Sequence, residues 1–154
     1  MLNRRVLLAG LLAFGAAPAR AAVGKKPLVI VEKDPSCGCC NAWVEHLRAA
    51  GFPVRVIEND RLEPVKKARG IPRDLWSCHT AVVDGYVIEG HVPAAEIERL
   101  LADRPKAVGL AVPGMPIGSP GMEVANMAPE AYEVVAFGPS GTTPFARYLG
   151  DKPV

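Results

Sequence analysis

The stretch KPLVIVEKDPSCGCCNAWVEHLRAAG, Lys26 to Gly51, changes its hydrophobic period halfway along and carries three of the chain's four cysteines. Residues 26–33, KPLVIVEK, form a short β-branched apolar run, the pattern of a buried strand. DPSCGCC follows as a turn. From Cys40 onward Trp43, Val44 and Leu47 recur at helical spacing, and Gly51 supplies a C-terminal stop. The segment therefore reads as strand, turn, helix, with Cys37, Cys39 and Cys40 at the point where the helix begins.

The pattern continues outward from there. FPVRVIEN (52–59) is a second strand and RLEPVKKARG a short helix ending near Gly70. IPRDLWSCH is a loop carrying the fourth cysteine, Cys78. TAVVDGYVIEGHV reads as a hairpin, Thr80–Val83 and Tyr86–Glu89, turning at Asp84-Gly85. PAAEIERLLADR is a helix with Pro93 in its first turn and Ile97, Leu100 and Leu101 on one face. The order β-α-β-α-β-β-α is that of an α/β, thioredoxin-like domain, spanning about residues 27–104. In such folds the first strand-to-helix turn carries a redox Cys-x-x-Cys. Residues 105–154 fall outside that core. They are rich in Gly and Pro, with a strand expected over YEVVAFG (132–138) and TTPFARYLG after it, and are expected to pack on the domain as a β appendage.

The chain opens MLNRRVLLAGLLAFGAAPARAAVG: Arg4 and Arg5, an apolar run from Val6 to about Ala17, then Ala19-Arg20-Ala21. This is the pattern of a secretory signal peptide over residues 1–21, too short in its apolar run to span ~30 Å of hydrocarbon comfortably. Either the general secretory or the twin-arginine route fits, and the expected destination is the periplasm. Arg4, Arg5 and Arg20 account for the apparent basicity. Without them 15 of the 18 basic residues remain against 16 acidic ones, net −1. No basic patch suggests nucleic acid, and no membrane association is expected once the signal is removed. Residues 22–154 make one domain of ordinary size, large enough to form a core without disulfide staples.

The cysteines therefore call for a chemical explanation. Beside a Cys-Gly-Pro-Cys motif, Cys37 takes the nucleophile's place near the helix N-cap, Cys40 the resolving place, and Cys39 replaces the proline. Unpaired N–H groups and the helix dipole favour thiolate there. In a thioredoxin-like fold the loop before the third strand faces this helix end, so Cys78 is expected to join the other three. Where redox members of that fold carry a cis-proline, a thiol stands here. Four sulfurs exceed what disulfide exchange needs, and thiolates select Cu(I), Zn(II) or iron–sulfur clusters. Structural zinc and iron–sulfur sites use spaced cysteines. Cu(I) accepts two or three thiolates, and sulfur can bridge ions, so crowding favours more than one Cu(I). Met115 and Met122, in the polar PGMPIGSPGME loop, are soft candidate ligands, although Met more often packs. His91 is open between ligand, supporting donor and structural residue, as is His79. His46, beside Glu45 and Arg48, is expected at the surface, and Trp43 and Trp76 are expected to keep water from the site. Two other uses of the thiols remain open: thiol–disulfide exchange through Cys37 and Cys40, and structural disulfides that lock the Cys78 loop to the helix.

CGCC, CHT, EGHVP and GLAVPGMPIGSPGME together resemble the CopG-type periplasmic copper-resistance family, also described as domain-of-unknown-function family 411, over about residues 27–150. The resemblance implies a thioredoxin-like fold and a copper centre on Cys37, Cys39, Cys40 and Cys78. It implies a role in copper or silver handling, with Cu(I)/Cu(II) redox chemistry as a candidate activity. The implied partners are metal ions and other periplasmic copper-handling proteins.

Overall fold

A computed structural model describes residues 24–154, so the expected signal segment 1–21 lies outside the described residues. Strand β1 (Val29–Lys33) alternates buried and half-buried side chains, as a strand covered on both faces does. Asp34 closes the turn that follows, its side chain accepting from the Ser36 N–H at 2.8 Å and its carbonyl from Cys37 N–H. Helix α1 (Gly38–Ala49) then starts with Cys37 as N-cap. Next come β2 (Val54–Glu58), α2 (Leu62–Ala68), one turn of 3-10 helix (Arg73–Leu75), β3 (His79–Val83), β4 (Tyr86–Glu89) and α3 (Ala94–Asp103). The β3–β4 turn is tight because Asp84 and Gly85 both take positive φ, 47° and 89°, the geometry whose twist matches a hairpin.

The remaining strands are β5 (Gly109–Ala111), β6 (Ala131–Gly138), β7 (Gly141–Leu149) and β8 (Lys152–Pro153). All eight belong to one sheet in the order β2-β1-β3-β4-β5-β6-β7-β8. β1 pairs parallel with β2 and antiparallel with β3; β4 pairs antiparallel with β3 and parallel with β5. The chain is thus a mixed α/β fold, and residues 105–154 extend its sheet while also packing on the domain, Tyr132 and Tyr148 in the main core and Gly121 against α1. GLA (109–111), to which the sequence pattern assigns no element, is a strand because it enters beside β4 with all three residues buried. TTPFARYLG is a strand despite Pro144, because the β6–β7 register slips between Val134 and Val135 and seats the proline at the irregularity.

The sheet buries two apolar clusters. On one face Val29, Val31, Ala81, Val83, Ile88 and Leu110 pack under Trp43 and Leu47 of α1 and Ile97 and Leu100 of α3. Each fully buried side chain of this kind stabilises by roughly 1.5–3 kcal/mol. On the other face Ile71, Leu75, Val87, Ala111 and Phe137 form the smaller cluster, with Trp76 against it. Trp76 donates to Ile71 O and stacks with the Arg73 guanidinium, so it belongs to this second cluster rather than shielding the cysteines. Trp43 fits the expected shielding place: it is fully buried, its ring centroid 4.3 Å from that of His79. His46 is not a surface residue. It is half-buried, and its Nε2 accepts the Ala94 N–H at 3.0 Å, capping α3 where Pro93 offers no side-chain cap.

Candidate metal centre

The site forms where three segments meet: the first turn of α1, the start of β3 and the end of β4. Cys37 caps α1, its sulfur accepting the Cys40 N–H at 3.3 Å. Cys40 faces the core and is fully buried, whereas Cys37, Cys39 and Cys78 are half-buried. Cys78 sits immediately before β3, which pairs beside β1 and so brings this thiol to the helix end. The four sulfurs lie within 4.8 Å of one another. Cys39 Sγ is 3.5 Å from Cys37 Sγ and 3.9 Å from Cys78 Sγ.

Cys37 and Cys40 are joined as a disulfide, and Cys39 and Cys78 are free. This corrects the expectation that a structural disulfide, if one formed, would tie the Cys78 loop to the helix. The bond closes within α1 because N-cap and third helical position share one face of the first turn. With that pair bonded, neither Cys37 nor Cys40 is a titrating thiol, and the expected thiolates at those two positions require reduction first. Cys78 moves the other way: burial, with Cys39 second, pushes its thiol up to about 12. It is a protonated thiol near neutrality, and a soft cation must displace that proton to bind.

Two histidines converge on Cys78, forming with it a second group of donor atoms within 4.8 Å. His91 Nε2 is 3.0 Å from Cys78 Sγ, and His91 Nδ1 is 2.8 Å from the Pro120 carbonyl. A carbonyl only accepts, so the proton is on Nδ1 and Nε2 presents a lone pair to the sulfur. His79 Nδ1 lies 3.3 Å from the same sulfur. With the thiol proton directed at His91, His79 is the donor to sulfur, and its buried Nε2 is left without a hydrogen-bond partner. Burial holds both imidazoles below their usual range, His79 well below it, with the charges of His91 and Lys66 adding to the effect on His79. Both are neutral, the form in which imidazole ligates or supports a metal.

The Gly/Pro-rich loop covers this assembly. Gly121 lies so close to α1 that a Cβ there would meet Trp43 N at 2.7 Å and Cys39 O at 2.8 Å. Ser77 Oγ donates to Gly114 O, tying the loop's other end to the Cys78 segment. Met115 is 51 % exposed beside Gly114, and Met122 is half-buried beside Gly121. Met127 is exposed. The convergence of His91 on Cys78 had a signal in the sequence: continuing the hairpin ladder two residues beyond Thr80–Glu89 sets Cys78 opposite His91. The capping role of His46 had none, because it depends on where α3 docks.

The family model described as "Protein of unknown function, DUF411" matches residues 75–122, which include Cys78, His79, His91, Met115 and Met122. Among curated proteins none matches. Two solved structures titled "Copper resistance protein copG", Form 2 and Form 1, are each 45% identical with a TM-score of 0.75. The alignments cover 80% of this chain and 98% of the Form 2 chain, and 81% and 99% for Form 1.

Proposed function

The chain belongs to the family of the copper resistance protein CopG, and from that premise we propose that it captures Cu(I) on the thiolates of Cys37, Cys39, Cys40 and Cys78. The observation that carries this is the convergence of four sulfurs within 4.8 Å, drawn from segments 38 residues apart. The donor set suits a soft cation: thiolate sulfur selects Cu(I) over hard ions. Neighbouring Cys39 and Cys40 strain a single tetrahedral ion, whereas a bridging thiolate serves two, so the centre holds more than one Cu(I). Ag(I), softer still, is accepted by the same sulfurs. His91, with its Nε2 lone pair aimed at Cys78, is placed to complete the shell or to take up the displaced thiol proton. Met115 and Met122 stand on the covering loop as further soft donors.

The protein works in the periplasm, delivered there by residues 1–21, in copper resistance and homeostasis alongside other copper-handling proteins. Residues 22–154 act as one domain whose first part, to about residue 104, is thioredoxin-like. The strand order β2-β1-β3-β4, with a cysteine pair at the first helix N-terminus, supports that description. Among the described residues no helix is long and apolar enough to cross a membrane. Cycling between Cu(I) and Cu(II) is a candidate activity of the centre once loaded.

The Cys37–Cys40 disulfide favours a second use of the same residues, thiol–disulfide exchange. A Cys-x-x-Cys pair at a helix N-terminus is the arrangement that does this chemistry. One titration separates the two. Residues 22–154, reduced under anaerobic conditions, are titrated with Cu(I) against a competing chelator while free thiols are counted. Tight uptake of more than one copper per chain with all four thiols protected is expected. No tight uptake, with Cys37 and Cys40 exchanging readily with a test disulfide, would replace copper capture by thiol exchange.

A further inference from the structure

Behind the cysteine site lies a charged group that cation binding does not use. Lys66 of α2 is 4% exposed, Thr80 of β3 2% and Glu89 of β4 fully buried. Lys66 Nζ donates to Glu89 Oε1 at 2.5 Å and to Thr80 Oγ1 at 3.0 Å, and Thr80 Oγ1 donates to Glu89 Oε2 at 2.7 Å. Glu89 Oε1 accepts one bond more, from the backbone N–H of Ser77 at 2.6 Å.

Stability is a weak account of this arrangement. Taking an ammonium and a carboxylate out of water costs several kcal/mol per ion, and apolar residues of similar volume are often as stable or more so. What the pair does achieve is specific. Ser77 immediately precedes Cys78 in a segment, Trp76–Cys78, that belongs to no helix or strand. Its N–H is held by the Glu89 carboxylate and its hydroxyl by Gly114 O. A charge-assisted bond to a carboxylate that is itself locked by Lys66 and Thr80 is shorter and stiffer than one to a neutral acceptor.

We propose that Glu89, oriented by Lys66 and Thr80, is a positioning residue for Cys78: it clamps the Ser77 amide and so aims the Cys78 sulfur at Cys39 and His91. The clamp rests on the copper reading only for the use to which Cys78 is put. The hydrogen bonds that set its position stand apart from that reading.

Two double variants separate clamp from packing. Lys66→Met with Glu89→Gln removes the charges but keeps an amide oxygen for Ser77 N–H. Lys66→Met with Glu89→Met removes the acceptor too. In reduced, metal-free protein, the rate of iodoacetamide alkylation at Cys78 is measured by mass spectrometry, with Cys39 in the same molecule as the internal standard. The Met/Met variant is expected to alkylate Cys78 about tenfold faster or more relative to Cys39, the factor expected when a hydrogen bond to a charged acceptor is lost. The Met/Gln variant is expected to stay near the wild-type ratio. A folded Met/Met variant with an unchanged ratio overturns the proposal. Should that variant fail to fold, hydrogen exchange on the wild type decides: Ser77 N–H is expected to be protected like a strand amide, and rapid exchange overturns the clamp. Anaerobic Cu(I) titration of the folded variants then asks whether the Met/Met variant protects one thiol fewer. If the wild type itself takes up no copper, copper capture fails, while alkylation and exchange still decide the clamp.

Discussion

Replacing Gly121 with alanine tests whether the Gly/Pro-rich loop is a clamp on α1 or a cover resting on it. Two costs are expected, and they are separable. Gly121 has φ +86°, which for a residue with a Cβ costs about 1–2 kcal/mol. The new Cβ would also meet Trp43 N at 2.7 Å, Cys39 O at 2.8 Å and Ala42 C at 3.2 Å. These are backbone atoms of a helix and cannot swing aside, so loop or helix must shift, an overpacking cost of about 1–3 kcal/mol. The sum, about 3 kcal/mol, lowers the melting temperature by about 10 °C for a domain of this size. Gly70→Ala is the control: φ there is +70° and nothing lies within 4 Å of the added Cβ. It should show the conformational cost alone, about 1–2 kcal/mol. Calorimetry on both variants gives the contact cost as a difference. Because Pro120 O holds His91 Nδ1, lifting the loop should also weaken Cu(I) retention in Gly121→Ala but not in Gly70→Ala. Equal melting temperatures for the two variants would refute the close approach and, with it, the clamp.

Cys39→Pro and Cys78→Ser should each abolish tight Cu(I) binding, measured by chelator competition; unchanged affinity in either removes that cysteine from the centre. Reducing the Cys37–Cys40 disulfide should cost about 2 kcal/mol of stability, the chain entropy of a four-residue loop, read as a lower urea midpoint in the reduced protein. His46 supplies a pH dependence. Burial depresses its folded pKa against the opposing charge of Glu123, and only the neutral ring accepts the Ala94 N–H. Its contribution is therefore present above the unfolded value near 6.5 and is lost as pH falls from there toward the folded pKa. His46→Gln should flatten that part of the urea-midpoint profile at a cost of about 1 kcal/mol above pH 7; an unchanged profile would show that the cap does not titrate.

Local pattern carried much of this fold. The change of period inside residues 26–51, the Asp84-Gly85 turn and the apolar face of PAAEIERLLADR each report on neighbours a few residues away, and each appears as an element within a few residues of its expected bounds. Four residues' worth of spacing likewise put Cys37, Cys39 and Cys40 together on one helix turn. Tertiary structure decided the rest, because those outcomes depend on pairing between distant segments. GLA (109–111) becomes a strand only where β4 offers it an open edge. Trp43 and Trp76 both stand near cysteines in the sequence yet lie on opposite faces of the sheet. His46 looks like a surface residue until α3 sets an unpaired N–H above it. Cys78 reaches the helix end because β3 pairs with β1, and His91 reaches Cys78 because β4 returns beside β3. Sequence by itself determined which atoms are soft donors and which residues turn or coil. The sheet determined which of those atoms meet, since only hydrogen-bonded register fixes the distance between residues far apart along the chain.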